Sequence, residues 1–505
     1  MDLCDKTLPA LHPLLATPSY DRAALRRSIV HIGVGAFHRA HQLVYLDALA
    51  RGGNSEWGET GVGLVSDSMK GALLPQDRLY TVVERASGHE AATVVGAMSD
   101  YLFAPDDPRA VLGRLAHAET RIVTLTITGD GYNLDANGDF DDSGATVRAE
   151  ALRLERPTTW FGFLVAALAR RRTAGLGGFT VLSCDNLANS GAAAESAVVG
   201  FAQMVDHTLA RWIRRHVSFP NGMVDRITPV PGTAAPQLVS QRFGLVDRAP
   251  VLTEPFRQWV IEDSFAAGRP PLEDVGVELV ADVAPHKLMK SRLLNGTHSA
   301  MAYLGHLAGH RTTAQMAADP IMRDYLARLM RDEIAPLLPP IPGVDLGTYR
   351  STVLDRLGNE NISDDLSRLA ARGSTKVPAY LLPSLVESRR AGVPNPLLIL
   401  AVAAWFRYLR GHDLAGEPID VADVRRDELV PLALAGGTDP GPLLGLRSVM
   451  GSLGDDLWVR SEISRALRDL ERLGVHGAVR MRLSASRDAV LRPRLSDEKE
   501  GSRIS

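Results

Sequence analysis

Apolar positions along the chain follow two different periods. Up to about residue 285, short β-rich runs alternate with helical stretches. Segments 28–32, 61–65, 121–127 and 179–183 read as strands, with shorter candidates at 81–84 and 93–95, while 38–50 and 159–174 carry helical spacing. Such alternation predicts an α/β domain built on a largely parallel sheet. Beyond that point 289–304, 320–334, 364–371, 380–391, 396–409 and 461–473 all read as helices, separated by Gly/Pro-rich segments at 338–343 and 435–442. The pattern predicts an α/β domain over 1–284, a mainly α-helical domain over 285–495 and a polar, disordered tail over 496–505. The longest apolar run, 397–406, is about half of what a membrane-spanning helix needs. It follows Asn395-Pro396, an N-cap residue and a first-turn proline, and reads as a buried helix.

Composition narrows the class of function. A chain of 505 residues exceeds one compact core, so two or three domains are expected. With 56 basic against 59 acidic residues the net charge is -3, which points to neither nucleic acid nor a membrane surface. The two cysteines, Cys4 and Cys184, suit a reducing compartment rather than a disulfide scaffold. No basic stretch followed by an apolar one opens the chain, so no signal peptide and a cytoplasmic location are expected.

Two segments carry candidate chemistry. The first predicted strand runs into Gly33-Val-Gly35-Ala-Phe37-His38-Arg39, where glycines would let the backbone approach a pyrophosphate at a helix N-terminus. The third fingerprint glycine is missing, because His38 holds its position, and the same glycines would also serve a plain strand-to-helix turn. The second strand leads into Ser66-Asp67, and a carboxylate there suits the ribose hydroxyls of NAD. His31, His38 and His41 lack a nearby Cys or acidic cluster to complete a metal shell, so no metal is expected. The second segment is Lys290-Ser-Arg-Leu-Leu-Asn295-Gly-Thr-His298. In an α-helix at ~100° per residue, Asn295 and His298 lie about 140° and 80° from Lys290, so all three can project from one side. A lysine, an amide and an imidazole suit proton transfer at a C–OH/C=O pair.

Segment Phe219-Pro-Asn-Gly-Met-Val-Asp225-Arg226-Ile-Thr-Pro229 closely resembles the signature of the mannitol dehydrogenase family of polyol-specific long-chain dehydrogenases. Gln76–Thr81, Ser183-Cys-Asp-Asn186, Glu254–Asp263 and Lys290–His298 agree with it in order and spacing, over about residues 25 to 410. The resemblance implies a Rossmann-like N-terminal domain, a mainly α-helical C-terminal domain and NAD as cofactor, without zinc. It implies cofactor contacts at Gly33, Gly35, Phe37, Arg39 and Asp67. Lys290 would be the general acid/base, Asn186 and Asn295 would hold the reacting oxygen, and His298 would orient the substrate. Asp225, Arg368 and Lys376 match positions that bind the polyol or support the site. A free lysine titrates near ~10.4, so a neutral base at pH 7–8 needs roughly 3–4 kcal/mol of help from its surroundings. The expected reaction interconverts a C5–C6 sugar alcohol, of mannitol or arabinitol type, and its ketose, in a monomer.

Two positions depart from the family pattern. Lys287 stands where a glutamate precedes the catalytic lysine, and Gly129 replaces another glutamate in Thr128-Gly-Asp-Gly-Tyr132. Both changes remove negative charge, which keeps open a hexuronate reductase acting on fructuronate/mannonate or tagaturonate/altronate. They also leave room for a nucleotide-binding sensor without turnover.

Overall fold

A five-stranded, fully parallel sheet organises the first half of the protein, seen in a computed structural model that describes residues 1–229 and 232–501, the last seventeen of these by backbone alone. Its strands are β1 (Ile29–Ile32), β2 (Glu59–Gly63), β3 (Met98–Phe103), β4 (Ile122–Leu125) and β5 (Thr180–Ser183), in the order β3-β2-β1-β4-β5. β1, β4 and β5 are buried at every position, as expected where helices cover both faces of a parallel sheet. The order reverses direction between β1 and β4. In doubly wound folds a dinucleotide binds at such a switch point, outside the carboxyl ends of the strands.

Two smaller sheets complete this unit. One orders Leu15–Ala16, His89–Val95, Tyr80–Ala86 and Val251–Thr253; the other orders Glu278–Val280, Gln258–Glu262 and Gly222–Asp225. The candidates at 81–84 and 93–95 fall in Tyr80–Ala86 and His89–Val95, while the other strands of these sheets, two to five residues long, are too short to show a period of two. β2 begins two residues earlier than the pattern predicts, because its first residue, Glu59, is a carboxylate that is fully buried. The helix expected over 38–50 is two helices, Ala36–Ala40 and Gln42–Arg51, broken at His41. That imidazole packs against Phe37, Tyr45 and Trp259 and reaches the Gln258 carbonyl oxygen at 2.9 Å.

The chain forms two compact units, Met1–Val283 and Ala284–Ser505. At the centre of the second lies Pro396–Tyr408, whose apolar run packs against Gly296–Leu307 and against the long helix Leu457–Gly501. Asn395 holds the N-cap position, but its side chain turns to Ser388 instead. The freed amides of Leu397 and Leu398 are taken by the buried Glu333 carboxylate, at 2.8 and 2.7 Å. The helix expected over 461–473 continues through a break at Gly474, where φ is 69°. The tail expected over 496–505 falls partly in this helix and partly, at 502–505, outside the described residues. Among the described residues no helix is long and apolar enough to cross a membrane.

Candidate active site

Gly33 ends β1 with φ 101°, and its amide donates to the Val62 carbonyl. A Cβ there would sit 2.1 Å from the carbonyl oxygen of Thr126, the residue after β4, so glycine is required by both conformation and space. Gly35, at the N-cap of Ala36–Ala40, is different. Its backbone is ordinary, and a Cβ would meet nothing nearer than the Gly33 oxygen at 3.7 Å. The protein's own packing does not need glycine here, but a pyrophosphate approaching the turn does. The residues therefore fit a dinucleotide at the switch point.

Beneath this turn lies a sealed polar cluster. His31 and His38 stack face to face, with centroids 3.4 Å apart, and His38 Nε2 is 2.9 Å from Glu59 Oε1. Thr126 Oγ1 donates to the Gly33 oxygen and so can only accept from His31 Nε2–H, while Thr124 Oγ1 serves Nδ1. Burial holds both imidazoles well below their ordinary range and pushes Glu59 up to about 7. The acidic neighbour missing from the local sequence thus comes from β2. Both nitrogens of His31 are engaged, whereas His38 meets this group through its stacking on His31 and its approach to Glu59.

The other expected cofactor residues diverge. Phe37 lies half-buried against His41. Arg39 is buried, its guanidinium committed to the carbonyls of Gly35 and Ala249 and lying over Tyr80, so it braces the turn from within. Asp67 is exposed, four residues beyond β2, at the N-cap of Ser68–Leu73.

Asn186 follows β5 and is exposed. Its neighbour Asp185, which sequence reasoning passed over, accepts from the amides of Ile127 and Thr128 at 3.0 Å each and from the Tyr132 hydroxyl at 2.8 Å. This carboxylate fastens the loop after β4, in which Thr128 has a positive φ of 68° and the exposed Gly129 follows. The Val-Asp-Arg-Ile segment divides its work in the same way. Asp225 ends Gly222–Asp225 in a buried position, whereas Arg226 links the Ala40 and Glu254 carbonyls with Glu84. The signature is thus partly a structural knot. Its only sequence signal was an arginine beside a strand end.

In the second unit the segment from Lys290 to His298 is not one α-helix. Ala284–Met289 is α-helical, Lys290–Asn295 is a π turn, and Gly296–Leu307 resumes the α-helix. The Gly296 amide donates five residues back, to the Ser291 carbonyl. The wider turn brings the fifth residue nearly over the first, so Asn295 stands closer to Lys290 than the α-helical angle predicts. Such insertions are rare and concentrate at functional sites. Lys290 is buried, with 9% exposure, while Asn295 and His298 are half-buried. The turn is pinned by Arg292, which reaches Ser384 Oγ at 2.8 Å and Glu387 at 2.7 Å on the helix Leu382–Arg390.

Arg368 and Lys376 are brought together. Lys376 Nζ donates to the carbonyls of Arg368 and Leu369, at 3.3 and 2.9 Å, while Arg368 pairs with Asp364 one turn earlier. Burial, followed by the charges of Arg368 and Arg372, lowers the Lys376 ammonium to about 8.

Comparison with known proteins agrees with this architecture. The model of the mannitol dehydrogenase Rossmann domain matches residues 27–274, and that of the mannitol dehydrogenase C-terminal domain matches residues 282–471. The chain is 42% identical over 483 residues to a mannitol 2-dehydrogenase of Aspergillus fumigatus, covering 92% of this chain and 94% of the relative. It is 42% identical over 472 residues to one of Pyricularia oryzae, covering 91% and 93%. Among solved structures it resembles a Pseudomonas fluorescens mannitol 2-dehydrogenase in ternary complex with NAD and D-mannitol. That likeness has a TM-score of 0.84 and 38% identity, over 96% of this chain and 100% of the other. A D-sorbitol dehydrogenase in substrate-free form gives a TM-score of 0.89 at 35% identity, over 95% and 100%. On the strength of two matched domain models and relatives similar over nearly their full length, this chain belongs to the mannitol dehydrogenase family.

Proposed function

We propose that the protein is an NAD-dependent polyol dehydrogenase that oxidises a secondary alcohol of a C5–C6 sugar alcohol to the ketose, reversibly and without a catalytic metal. The observation that carries this reading is the buried Lys290 at the head of a π turn, with Asn295 and His298 following it. When bound, NAD supplies the hydride acceptor. Gly33 and Gly35 leave the backbone open to its pyrophosphate, and Asp67 takes the ribose hydroxyls.

The chain's own side chains handle the proton. Burial disfavours a charged ammonium, which is the direction a neutral base needs. Lys290 takes the proton from the substrate hydroxyl in oxidation and returns it in reduction. Asn186 and Asn295 donate hydrogen bonds to the oxygen as it gains negative charge. His298 and Asp225 orient the remaining hydroxyls. Lys376, held by backbone carbonyls beside Arg368, supports the substrate side of the unit rather than the proton transfer.

The test is NADH formation on chelator-treated protein with mannitol, arabinitol, sorbitol, xylitol, mannonate and altronate. Chelator-resistant turnover of a polyol is expected. Turnover of the aldonates alone would replace this reading with the hexuronate one. The observation behind that second reading is the half-buried Lys287, three residues ahead of Lys290, where a cation could meet a substrate carboxylate. On the uronate reading Lys287→Ala selectively weakens turnover of the acid substrates; equal change on polyol and acid rejects it. Tight NAD binding without turnover of any substrate would instead favour the sensor.

A further inference from the structure

A second group of histidines and a carboxylate lies in the helical unit, with no part in the proposed chemistry. His310 follows the helix Gly296–Leu307, Asp319 is the N-cap of Pro320–Arg328, and His476 comes two residues after the break at Gly474. Their ligand atoms, two Nε2 and one carboxylate oxygen, all lie within 4.8 Å of one another. His476 Nε2 is 2.6 Å from Asp319 Oδ2, and His310 Nε2 is 3.4 Å from the same oxygen.

The division of labour within Asp319 is informative. Oδ1 accepts from the amides of Ile321 and Met322, at 2.9 and 3.3 Å, and so caps the helix. Oδ2 is left to face the two imidazoles. His310 Nε2 is sealed from solvent yet makes no hydrogen bond, because its distance and direction to Asp319 do not form one. A buried imidazole nitrogen left unsatisfied beside a carboxylate costs stability unless something sits between them.

We propose that His310, Asp319 and His476 form a binding site for a divalent transition-metal ion of the zinc class, separate from the dehydrogenase chemistry. Ligands about 2.0–2.1 Å from a tetrahedral zinc lie about 3.3–3.4 Å from one another, which is already the His310–Asp319 spacing. His476 has only to exchange its hydrogen bond for a metal bond, and at 42% side-chain exposure it has room to move and gives an ion access from solvent. Two imidazoles and one carboxylate suit zinc, cobalt or nickel; magnesium and calcium prefer all-oxygen shells. Water would complete the coordination. The ion would tie the helix after Gly474 to the start of Pro320–Arg328, acting as a clamp on the fold.

The test uses the untagged full chain, stripped with chelator and titrated with Zn²⁺ by calorimetry. Co²⁺ serves as a spectroscopic probe, because its visible absorption reports coordination number. One Zn²⁺ per chain is expected, with a raised melting temperature, a low-coordinate Co²⁺ spectrum and no competition from Mg²⁺ or Ca²⁺. His310→Ala and His476→Ala should each weaken binding by roughly tenfold or more, since even supporting residues around a metal site are worth about 10–100-fold. His476→Ala removes a partly exposed side chain, so its fold is readily verified in the same melting experiment. Absence of stoichiometric binding, or unchanged affinity in both variants, would overturn the proposal.

Discussion

At Gly33–Ala36 the chain enters a helix through two glycines flanking a buried Val34, whereas at Lys290–Gly296 it passes between two helices with a lysine buried. The first turn presents backbone: Gly33 is compelled by Thr126, and Gly35 keeps clear a space that the protein does not fill. The second presents side chains, with Lys290 held at low exposure by a π turn that Arg292 pins from the opposite side. On the proposed function, cofactor recognition and proton transfer ask different things of a helix terminus. One needs close approach, and the other needs a polar group kept dry and correctly aimed.

Breaking the second turn should have the larger effect. Lys290→Ala is expected to lower kcat by about 10²–10⁴-fold, the usual worth of a positioned acid/base, while NAD affinity measured by fluorescence titration is retained. Substantial turnover remaining at neutral pH would remove Lys290 from its role. Gly35→Val should do the reverse. It should weaken NAD by roughly tenfold or more, for which a loss of about 1.4 kcal/mol suffices, and leave the melting temperature almost unchanged. Gly33→Ala sharpens the contrast, because its clash with Thr126 should destabilise the fold itself, by about 1–3 kcal/mol in denaturant unfolding.

Arg292→Met tests whether the π turn depends on its anchor. A loss of about 1–2 kcal/mol is expected from the buried half of the ion pair, with a fall in kcat that exceeds any change in KM for substrate. A variant that is less stable but kinetically normal would separate the anchor from the site. The smallest effect concerns Lys376. Its ammonium titrates at about 8 in the fold against an ordinary 10.5, so the unfolded chain binds more protons between those values. Stability contributed by this group therefore rises from about pH 8 to 10.5, and its penalty is fully present below 8. Lys376→Met should stabilise at pH 7 and lose that advantage above about 10.5, measured as the difference in melting temperature between variant and parent.

The two regions were not equally legible. Glycines after a strand carry their meaning in the sequence, because no other residue tolerates the backbone at Gly33. Four of the five main strands and the helical second half could also be read there, since periodicity encodes them, while Met98–Phe103 falls outside the predicted strands. The π turn could not, because its residues have ordinary helix propensities and the extra residue is accommodated by packing against other helices.

Other features depended on partners distant in the chain. Arg39 donates to the Ala249 carbonyl, and Asp185 fastens the loop at Ile127 and Thr128, contacts that no local pattern carries. Asn395 holds an N-cap position whose work falls to Glu333, on another helix. The sequence by itself determined where backbone must be bare and which faces must be apolar, because those demands are local. Only the tertiary structure decided which polar groups prop, which cap and which stay open to a ligand. That choice turns on hydrogen-bond partners from 57 to 210 residues away, and burial makes leaving any of them unpaired costly.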